Sequence, residues 1–563
     1  MKLSDYDLRQ IDEERINKLS ETAVKNLSIT LLNDLKEARE RLNQNSKNSS
    51  IPPSSEAPWD KASKYEDEEQ DNESSDDIEA LDKAMHADKQ ALASDCCSDE
   101  IDTPSPSQES SDTATQPAPP QVPPRKPGKQ PGAQGFGREQ KITVHQHEHH
   151  YPAQCVFCDD VFNSKHTCAE LGRSNSVAYT AFDTLTLEWG DLNQPGITVV
   201  NTRHTYYDRV CPCGHVTQAT PLRQPPDSLL PNVELSQWRL IGSSLAALIV
   251  CLSFRMRLSR PRIREFLHDW LGITLSVGSI NKAIHESGRA AMPLENELLE
   301  EVLKSELLHV DETPWKEKGD LLWLWVFVSS SVVAFWISSR TSELINNVLG
   351  GNAYKGWLMS DGYRVYRQFL KRLRCWAHLV RKARGLMESY NKESQAFGKE
   401  TLDFLNSLIE AIKNARENPP DKPLSKFYKE QLLSYRHACE QMKSSAHKKT
   451  RELAVEMLND WEVIFTVLDH PHLPLTNNEA ERALRHWVIL RRISYGTRTE
   501  QGSRIFAILA SVIETCRIRQ QCPWRYLESV IDNRRAGFLA PPLPVIISSV
   551  SYTHLTLPTI LRV

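Results

Sequence analysis

The sequence predicts an α/β fold divided into several domains. The chain has 563 residues, more than one hydrophobic core usually holds. From Glu306 the sequence pattern changes to short runs of apolar, β-branched and aromatic residues. Leu321 to Val328 and Val332 to Ile337 predict a hairpin beside a strand that ends at Asp311. Residues 366–470 then follow an almost continuous helical pattern.

The first 50 residues predict an N-terminal helix. Leu31, Leu35, Ala38 and Leu42 follow a 4-3-4 spacing, which fits a short coiled-coil seam. A single amphipathic helix packed on its own protein explains the pattern equally well.

Residues 51–138 predict a disordered linker, acidic at first and basic at its end. The formal net charge of −5 conceals this segregation, because acids crowd residues 56–102. Ser, Pro and acidic residues bury too little apolar surface to offset the entropy of ordering. The basic segment Arg125 to Gly132 suits contact with a phosphate backbone, although a solvated linker has the same composition.

Residues 139–220 predict a small zinc-binding domain. Cys155 and Cys158 form one close pair, and Cys211 and Cys213 form another. Four thiolates in two pairs suit a structural Zn²⁺. The Cys-x-Cys spacing of the second pair is unusual for zinc, so His166, Cys168 and His215 are alternative ligands. For His145, His147, His149 and His150, an alternating polar strand is a better interpretation than metal binding.

Composition indicates a cytoplasmic protein. The 12 cysteines are widely spread, and the sequence shows no signal peptide. The most apolar run, Leu240 to Phe254, is shorter than the ~20 residues of a membrane span, so it predicts a buried helix. Residues 235–300 predict helices, one starting at Ser259-Arg260-Pro261. Their order resembles a helix–turn–helix, although ordinary helix packing is the better explanation.

Three carboxylates carry the chemical signal. Asp311 and Asp361 each end an apolar run, and Glu481 lies in the first turn of a helix that Asn477 and Asn478 could cap. Such oxygens are the ligands that hard divalent cations prefer, and two such ions can promote phosphoryl transfer. The alternatives are that each Asp caps a turn and that Glu479 and Glu481 compensate the helix dipole.

Four segments together resemble the IS66 family of transposases. They are His309-Val310-Asp311-Glu312-Thr313, Ser360-Asp361-Gly362-Tyr363, Cys375 to Lys382 and Asn477 to Arg485. The resemblance implies a DDE transposase with a ribonuclease-H-like core over residues 301–540 and an α-helical insertion at about 390–470. In that pattern Asp311, Asp361 and Glu481 bind two Mg²⁺ or Mn²⁺ ions. Glu481 is preferred to Glu479 because it occupies the Glu-Arg position of the family motif.

The resemblance also implies DNA as the partner, as element ends and as target. Expected DNA-binding residues are His378, Arg381, Lys382, Arg482 and Arg485. A homo-oligomer, nucleoid association and accessory proteins from the same element are further expectations. The alternative is a DNA-binding protein of transposase ancestry that has lost cleavage. Residues from about Val550 resemble nothing in the family, and we expect the tail 541–563 to be non-native.

Overall fold

The computed structural model describes residues 16, 19–42, 142–162, 176–190, 196–220, 240–351 and 354–545. The predicted linker therefore lies outside the described residues, as do residues 546–563 of the predicted tail. Of the first five tail residues, 541–545, Leu543 is packed into the protein, whereas Val545 is exposed. Leu543 is buried, and its backbone N–H donates to the Glu297 carboxylate at 3.0 Å.

The N-terminal segment contains helix α1, Glu21–Leu42. Its C-terminal part contacts the same chain through Glu40, whose carboxylate accepts from Ser389 Oγ at 2.5 Å and from the Tyr390 N–H at 3.0 Å. Leu31 and Leu35 of the predicted seam remain exposed. The helix is thus anchored on its own protein at one end, and the coiled coil stays a prediction.

The cysteine-bearing unit is built on a four-stranded sheet. Its strands are β1 Gln146–His150, β2 Ser176–Trp189, β3 Ile197–Val210 and β4 Val216–Gln218. β3 lies between β1, which is parallel to it, and β2, which is antiparallel; β4 also pairs with β3. The Leu187 N–H donates to Ser244 Oγ at 2.7 Å, so the far end of β2 joins the main body.

Four helices follow this sheet. They are α2 Ser243–Phe254, α3 Arg260–Leu271, α4 Val277–Ala291 and α5 Leu294–Lys304. Every residue of α2 is buried, which confirms the predicted buried helix. Among the described residues, no helix combines the length and apolar character needed to span a membrane.

A five-stranded mixed sheet forms the centre of the molecule, which makes the chain an α/β protein. Its strands are β5 Leu307–Glu317, β6 Asp320–Val328, β7 Val333–Ser338, β8 Trp357–Ser360 and β9 Arg372–Arg374. The order is β7-β6-β5-β8-β9; β5, β6 and β7 are antiparallel, whereas β8 and β9 run parallel to β5. The predicted hairpin is confirmed as β6 and β7.

The strand that carries Asp311 is longer than the sequence predicts. Asp361 directly follows β8, as expected, but Asp311 lies in the middle of β5. β5 continues to Glu317 because β6 pairs with it along this whole length. The expectation that Asp311 ends its strand was therefore wrong.

The remaining elements are mainly helices. They are α6 Ser342–Leu349, α7 Trp376–Met387, α8 Lys392–Glu417, α9 Leu424–Phe427, α10 Lys429–Met442, α11 Lys448–Asn459, α12 Trp461–Phe465, α13 Asn478–Ser494, α14 Glu500–Ile518 and α15 Pro523–Arg535, with 3₁₀ turns at Arg364–Gln368 and Thr466–Leu468. Helices α8 to α12 share a hydrophobic cluster with α7 and β9. α2, α13 and α14 pack in the cluster of the central sheet.

Buried ion pairs join the helical segment 392–468 to the sheet. Asp460 accepts from Arg372 at 2.7 Å and from Arg374 at 3.1 Å, and all three side chains are buried. Glu456 adds a second acceptor for Arg374 and an ion pair with Lys382 at 2.6 Å. Because an unpaired buried charge is costly, this network fixes the helical segment on β9.

Candidate metal centre

Asp311 and Asp361 lie on neighbouring parallel strands. His309 pairs with Met359 in the register of β5 and β8, and each acid lies two residues beyond that pair. Asp311 Oδ1 accepts from the Glu312 N–H at 2.9 Å, and Asp361 Oδ1 accepts from the Tyr363 N–H at 2.8 Å. Asp361 therefore does cap the turn that follows it, as the alternative predicts. This hydrogen bond uses only one carboxylate oxygen and leaves the other for a cation.

Three other carboxylates lie close enough to Asp311 to affect its pKa. Burial raises the pKa of Asp311 well above its ordinary range, and the nearby Glu312, Asp361 and Glu481 raise it further. The Glu312 backbone N–H opposes this shift only partly. A carboxylate crowded by like charges is stabilised by a proton or a cation, so these oxygens have the chemistry of a site for a hard divalent cation.

Asn477 connects the helix bearing Glu481 to the strand bearing Asp311. Its buried side-chain amide donates to the Val310 carbonyl at 2.9 Å, and its Oδ1 lies 3.2 Å from His309 Nδ1. Its backbone N–H donates to Cys375 Sγ at 3.3 Å. Asn477 occupies the N-cap position of α13, but its side chain makes no capping hydrogen bond. Asn477, which the sequence predicts as a helix cap, therefore uses its side chain to link α13 to β5 instead.

The two candidate glutamates of α13 have different surroundings. Glu479 is exposed and forms an ion pair with Arg482. Glu481 is half-buried, contributes to the field at Asp311 and lies 3.4 Å from Arg381. This difference favours Glu481 over Glu479 as the third acid, although its carboxylate lies within 4.8 Å of ligand atoms of Cys375 and His378, a group that includes neither aspartate.

Glu312 and Arg340 are two residues near Asp311 that the sequence patterns did not single out as part of the site. The Glu312 carboxylate is buried and accepts from Arg340 Nε at 2.9 Å and from the Tyr366 hydroxyl at 2.7 Å. The Arg340 guanidinium lies 4.3 Å from the Trp323 ring centre and 4.0 Å from that of Tyr363. An acid directly after Asp311 was the available signal; Arg340, 28 residues away, offered none.

The predicted DNA-binding residues divide into enclosed and exposed groups. Burial, together with the nearby Arg381 and Lys382, lowers the pKa of His378 to about 3, so this imidazole is neutral. Its Nδ1 is buried without a hydrogen-bond partner among the described residues. A neutral, enclosed imidazole does not favour the phosphate contact predicted for His378. Arg482 and Arg485 are exposed on α13, as phosphate contact requires.

The residue after Asp361 is Gly362, and the packing around it explains why it has no side chain. A Cβ at this position would clash with the Arg374 guanidinium, with Nη2 only 2.8 Å away. Arg374 cannot retreat easily, because Asp460 and Glu456 hold it in the buried network. Glycine is therefore the residue that the packing of Arg374 permits here.

The four paired cysteines meet at one point. Cys155 Sγ lies 3.8 Å from Cys213 Sγ, and Cys158 Sγ lies 3.5 Å from Cys211 Sγ and 3.6 Å from Cys213 Sγ. Bonds of about 2.3 Å to a tetrahedral Zn²⁺ place sulfurs about 3.8 Å apart, so the spacing fits zinc. Although burial opposes it, the backbone N–H groups of Phe157 and Cys158 help to lower the pKa of Cys155 to about 6.

The alternative ligands do not join this cluster in the described part of the chain. His215 stacks on Phe157 with ring centres 5.7 Å apart, outside the four-sulfur group. His166 and Cys168 lie outside the described residues.

Comparison with known families agrees with the resemblance. The family model for the IS66 transposases matches residues 239–505, which include Asp311, Asp361 and Glu481. Residues 239–505 belong to the IS66 transposase family. A model for a family of unknown function, DUF6444, matches residues 5–86. The IS66 match thus begins just before α2 and ends within α14.

Similar curated proteins come from Sinorhizobium fredii. The uncharacterized protein y4qI is 24% identical over 49% of this chain and 56% of its own length. The uncharacterized protein y4hP is 25% identical over 52% of this chain and 59% of its own length. The chain therefore spans little more than half the length of these relatives, and their names assign no activity.

Proposed function

We propose that this IS66-family protein is a DDE transposase that binds the ends of an insertion sequence, cleaves DNA strands and joins them to target DNA. Asp311, Asp361 and Glu481 are its catalytic acids. The observation that carries this proposal is the position of Asp311 and Asp361 on neighbouring parallel strands, each two residues beyond the paired His309 and Met359. Asp361 and Glu481 are also close enough to raise the pKa of Asp311. The adjacency of the acid-bearing strands β5 and β8 in a mixed sheet supports the ribonuclease-H-like core.

The residues present fit a pair of divalent cations such as Mg²⁺ or Mn²⁺. Asp311, Asp361 and Glu481 would hold them, because carboxylate oxygens are hard ligands and the crowded negative charge needs compensation. Bound there, the ions would polarise the scissile phosphate and stabilise the attacking and leaving oxygens.

Several side chains give these acids their positions. Arg340 and Tyr366 hold Glu312 directly behind Asp311, which limits the movement of that part of β5. Asn477 holds the start of α13 against the same strand. Arg381 lies 3.4 Å from Glu481 and orients its carboxylate before a cation competes for it.

A ladder of rings on the cysteine-bearing unit offers a surface for DNA. His149 and Tyr151 both pack on Tyr207, with ring centres 5.5 and 4.6 Å away. The Arg209 guanidinium lies 4.9 Å from the Tyr151 ring centre. Rings and a guanidinium along one sheet face suit base stacking and phosphate contact. We assign this face, together with Arg482 and Arg485, to DNA binding.

The other parts of the proposal follow the same chemistry. Cys155, Cys158, Cys211 and Cys213 bind a structural Zn²⁺ in a domain of residues 139–220. Residues 301–540 form the catalytic domain, with the helical insertion at about 390–470. The working unit is a homo-oligomer that acts with accessory proteins of its element in the bacterial cytoplasm, at the nucleoid.

A strand-cleavage assay tests the catalytic proposal. Purified protein and any accessory proteins are incubated with labelled terminal-repeat DNA in the presence or absence of Mg²⁺. The parent should cleave only with the metal. Asp311→Asn, Asp361→Asn and Glu481→Gln should each abolish cleavage but retain DNA binding, because each removes one negative ligand without changing side-chain size.

Glu479→Gln is the matched control, since it makes the same change two residues away on the same helix. It should retain cleavage. Loss of cleavage in Glu479→Gln with normal cleavage in Glu481→Gln would reverse the assignment of the third acid. A parent protein that binds DNA but never cleaves it would support the binding-only alternative.

A further inference from the structure

A second cluster of metal-ligating side chains lies on the cysteine-bearing sheet. Glu148 on β1 pairs directly with His204 on β3, and His150 is two residues further along β1. Alternation along the strands therefore places the three side chains on one face of the sheet. We propose that Glu148, His150 and His204 bind a transition-metal ion of the Zn²⁺ class. This inference does not rest on the proposed function.

The donor atoms have the spacing that one ion requires. His204 Nδ1 lies 3.1 Å from both His150 Nε2 and Glu148 Oε2, and Glu148 Oε2 lies 3.8 Å from His150 Nε2. Tetrahedral bonds of about 2.0–2.2 Å to zinc place nitrogen and oxygen ligands about 3.3–3.5 Å apart. The three separations bracket this range, so the site needs only small side-chain adjustments to receive an ion.

Protons satisfy this arrangement less completely than a cation does. His204 Nδ1 offers either one N–H or one lone pair. If it donates to Glu148, it presents no acceptor to His150. If it accepts from His150, its lone pair faces the Glu148 carboxylate. A single cation at the common centre satisfies all three donors simultaneously.

The surroundings favour a fixed site with one open side. The His204 side chain is only 10% exposed, whereas that of Glu148 is 55% exposed, so a water molecule or another ligand can reach the ion. His150 stacks on the buried Tyr206 with ring centres 4.4 Å apart, which fixes the plane of its imidazole. Two imidazoles and one carboxylate suit zinc and related ions better than Mg²⁺.

This cluster differs from the four-cysteine cluster in its donor atoms. It contains no thiolate, so Co²⁺ bound there gives ligand-field absorption without the sulfur charge-transfer band of a cysteine site. The two sites can therefore be counted independently in one protein.

The test measures zinc in the full-length protein by mass spectrometry after gel filtration, with Co²⁺ spectra in parallel. Glu148→Gln and His150→Gln preserve side-chain size or polarity and should each lose one zinc per chain. Their loss of affinity should exceed the about 10–100-fold that substitutions outside the ligand shell cause. His204→Ala should do the same, with circular dichroism as a check of folding.

His147→Gln is the control, because His147 lies on the same strand but on its opposite face. It should keep the parent's zinc content. Cys155→Ser should lose the sulfur charge-transfer band but keep the sulfur-free Co²⁺ spectrum. Unchanged zinc content and affinity in both Glu148→Gln and His150→Gln would overturn the proposal and leave a hydrogen-bonded cluster. Equal loss in His147→Gln would overturn it as well.

Discussion

Replacing Gly362 with alanine tests how tightly the helical segment controls the surroundings of Asp361. The new Cβ would meet the Arg374 guanidinium, whose side chain is only 1% exposed. An exposed arginine would swing away at little cost. Here the guanidinium is bound to Asp460 at 3.1 Å and to Glu456, so either these ion pairs stretch or the turn after Asp361 moves.

The expected loss of stability follows from these two responses, stretched ion pairs or movement of the turn. Forcing one methyl group into a packed interior costs about 1–3 kcal/mol. Complete loss of a buried ion pair costs about 3–5 kcal/mol and is an upper limit, because Arg374 can keep one of its two acceptors. We therefore expect Gly362→Ala to lower the free energy of unfolding by about 1–3 kcal/mol, which corresponds to about 2–4 °C in Tm for each kcal/mol.

Urea unfolding monitored by circular dichroism measures this loss. Gly278→Ala is the matched control, because the nearest atom to its added Cβ is Ser276 Oγ at 3.6 Å and the site lies in the first turn of α4. It should be neutral or stabilising by about 0.5–1 kcal/mol, since alanine favours helix. Equal stability of the two variants would refute the argument that Arg374 is held in place.

Three further predictions concern other contacts. Asn477→Ala should lose about 2–4 kcal/mol of stability and most DNA cleavage, because it leaves the Val310 carbonyl and His309 Nδ1 without their partner. As the control, the exposed Asn478→Ala should change the stability by less than about 0.5 kcal/mol in the same denaturation experiment. His378→Gln should flatten the pH dependence of stability. The pKa of His378 is about 3 in the folded protein, below its ordinary value, so the stability that the neutral imidazole contributes is complete above about pH 6.5. As the pH falls, this stability is lost at up to about 1.4 kcal/mol per pH unit. Identical losses of stability in parent and variant between about pH 7 and pH 5 would contradict this. Glu40→Ala should release the C-terminal part of α1, seen as faster hydrogen exchange there, whereas Glu21→Ala should not.

The sequence predicted those elements whose pattern is local. The β6–β7 hairpin and the buried α2 follow from continuous apolar runs with clear ends. The extension of β5 was missed because the apolar run that predicts the strand ends at Asp311, and the residues after it include Pro314. Beyond His309, however, β5 has β6 on one side and no ladder to β8 on the other, so a residue without an N–H is tolerated at this open edge.

Contacts between distant segments could not be predicted in the same way. The amide of Asn477 reaches Val310, 167 residues earlier, and His204 reaches His150, 54 residues earlier. Both depend on strand register and helix position, which hydrophobic periodicity does not fix. Glu481 was selected over Glu479 from the family motif, and the different partners of the two glutamates now give a physical reason for the same choice.

The order of these elements along the chain has a consequence for biosynthesis. Asp311 and Asp361 leave the ribosome long before Glu481, which follows Asp361 by 120 residues. At about 5–20 residues per second this interval lasts about 6–24 s. During that time the two aspartates lack both their third acid and the Asn477 link. If the proposed function holds, a nascent chain has no complete set of catalytic acids until the helical segment has been made.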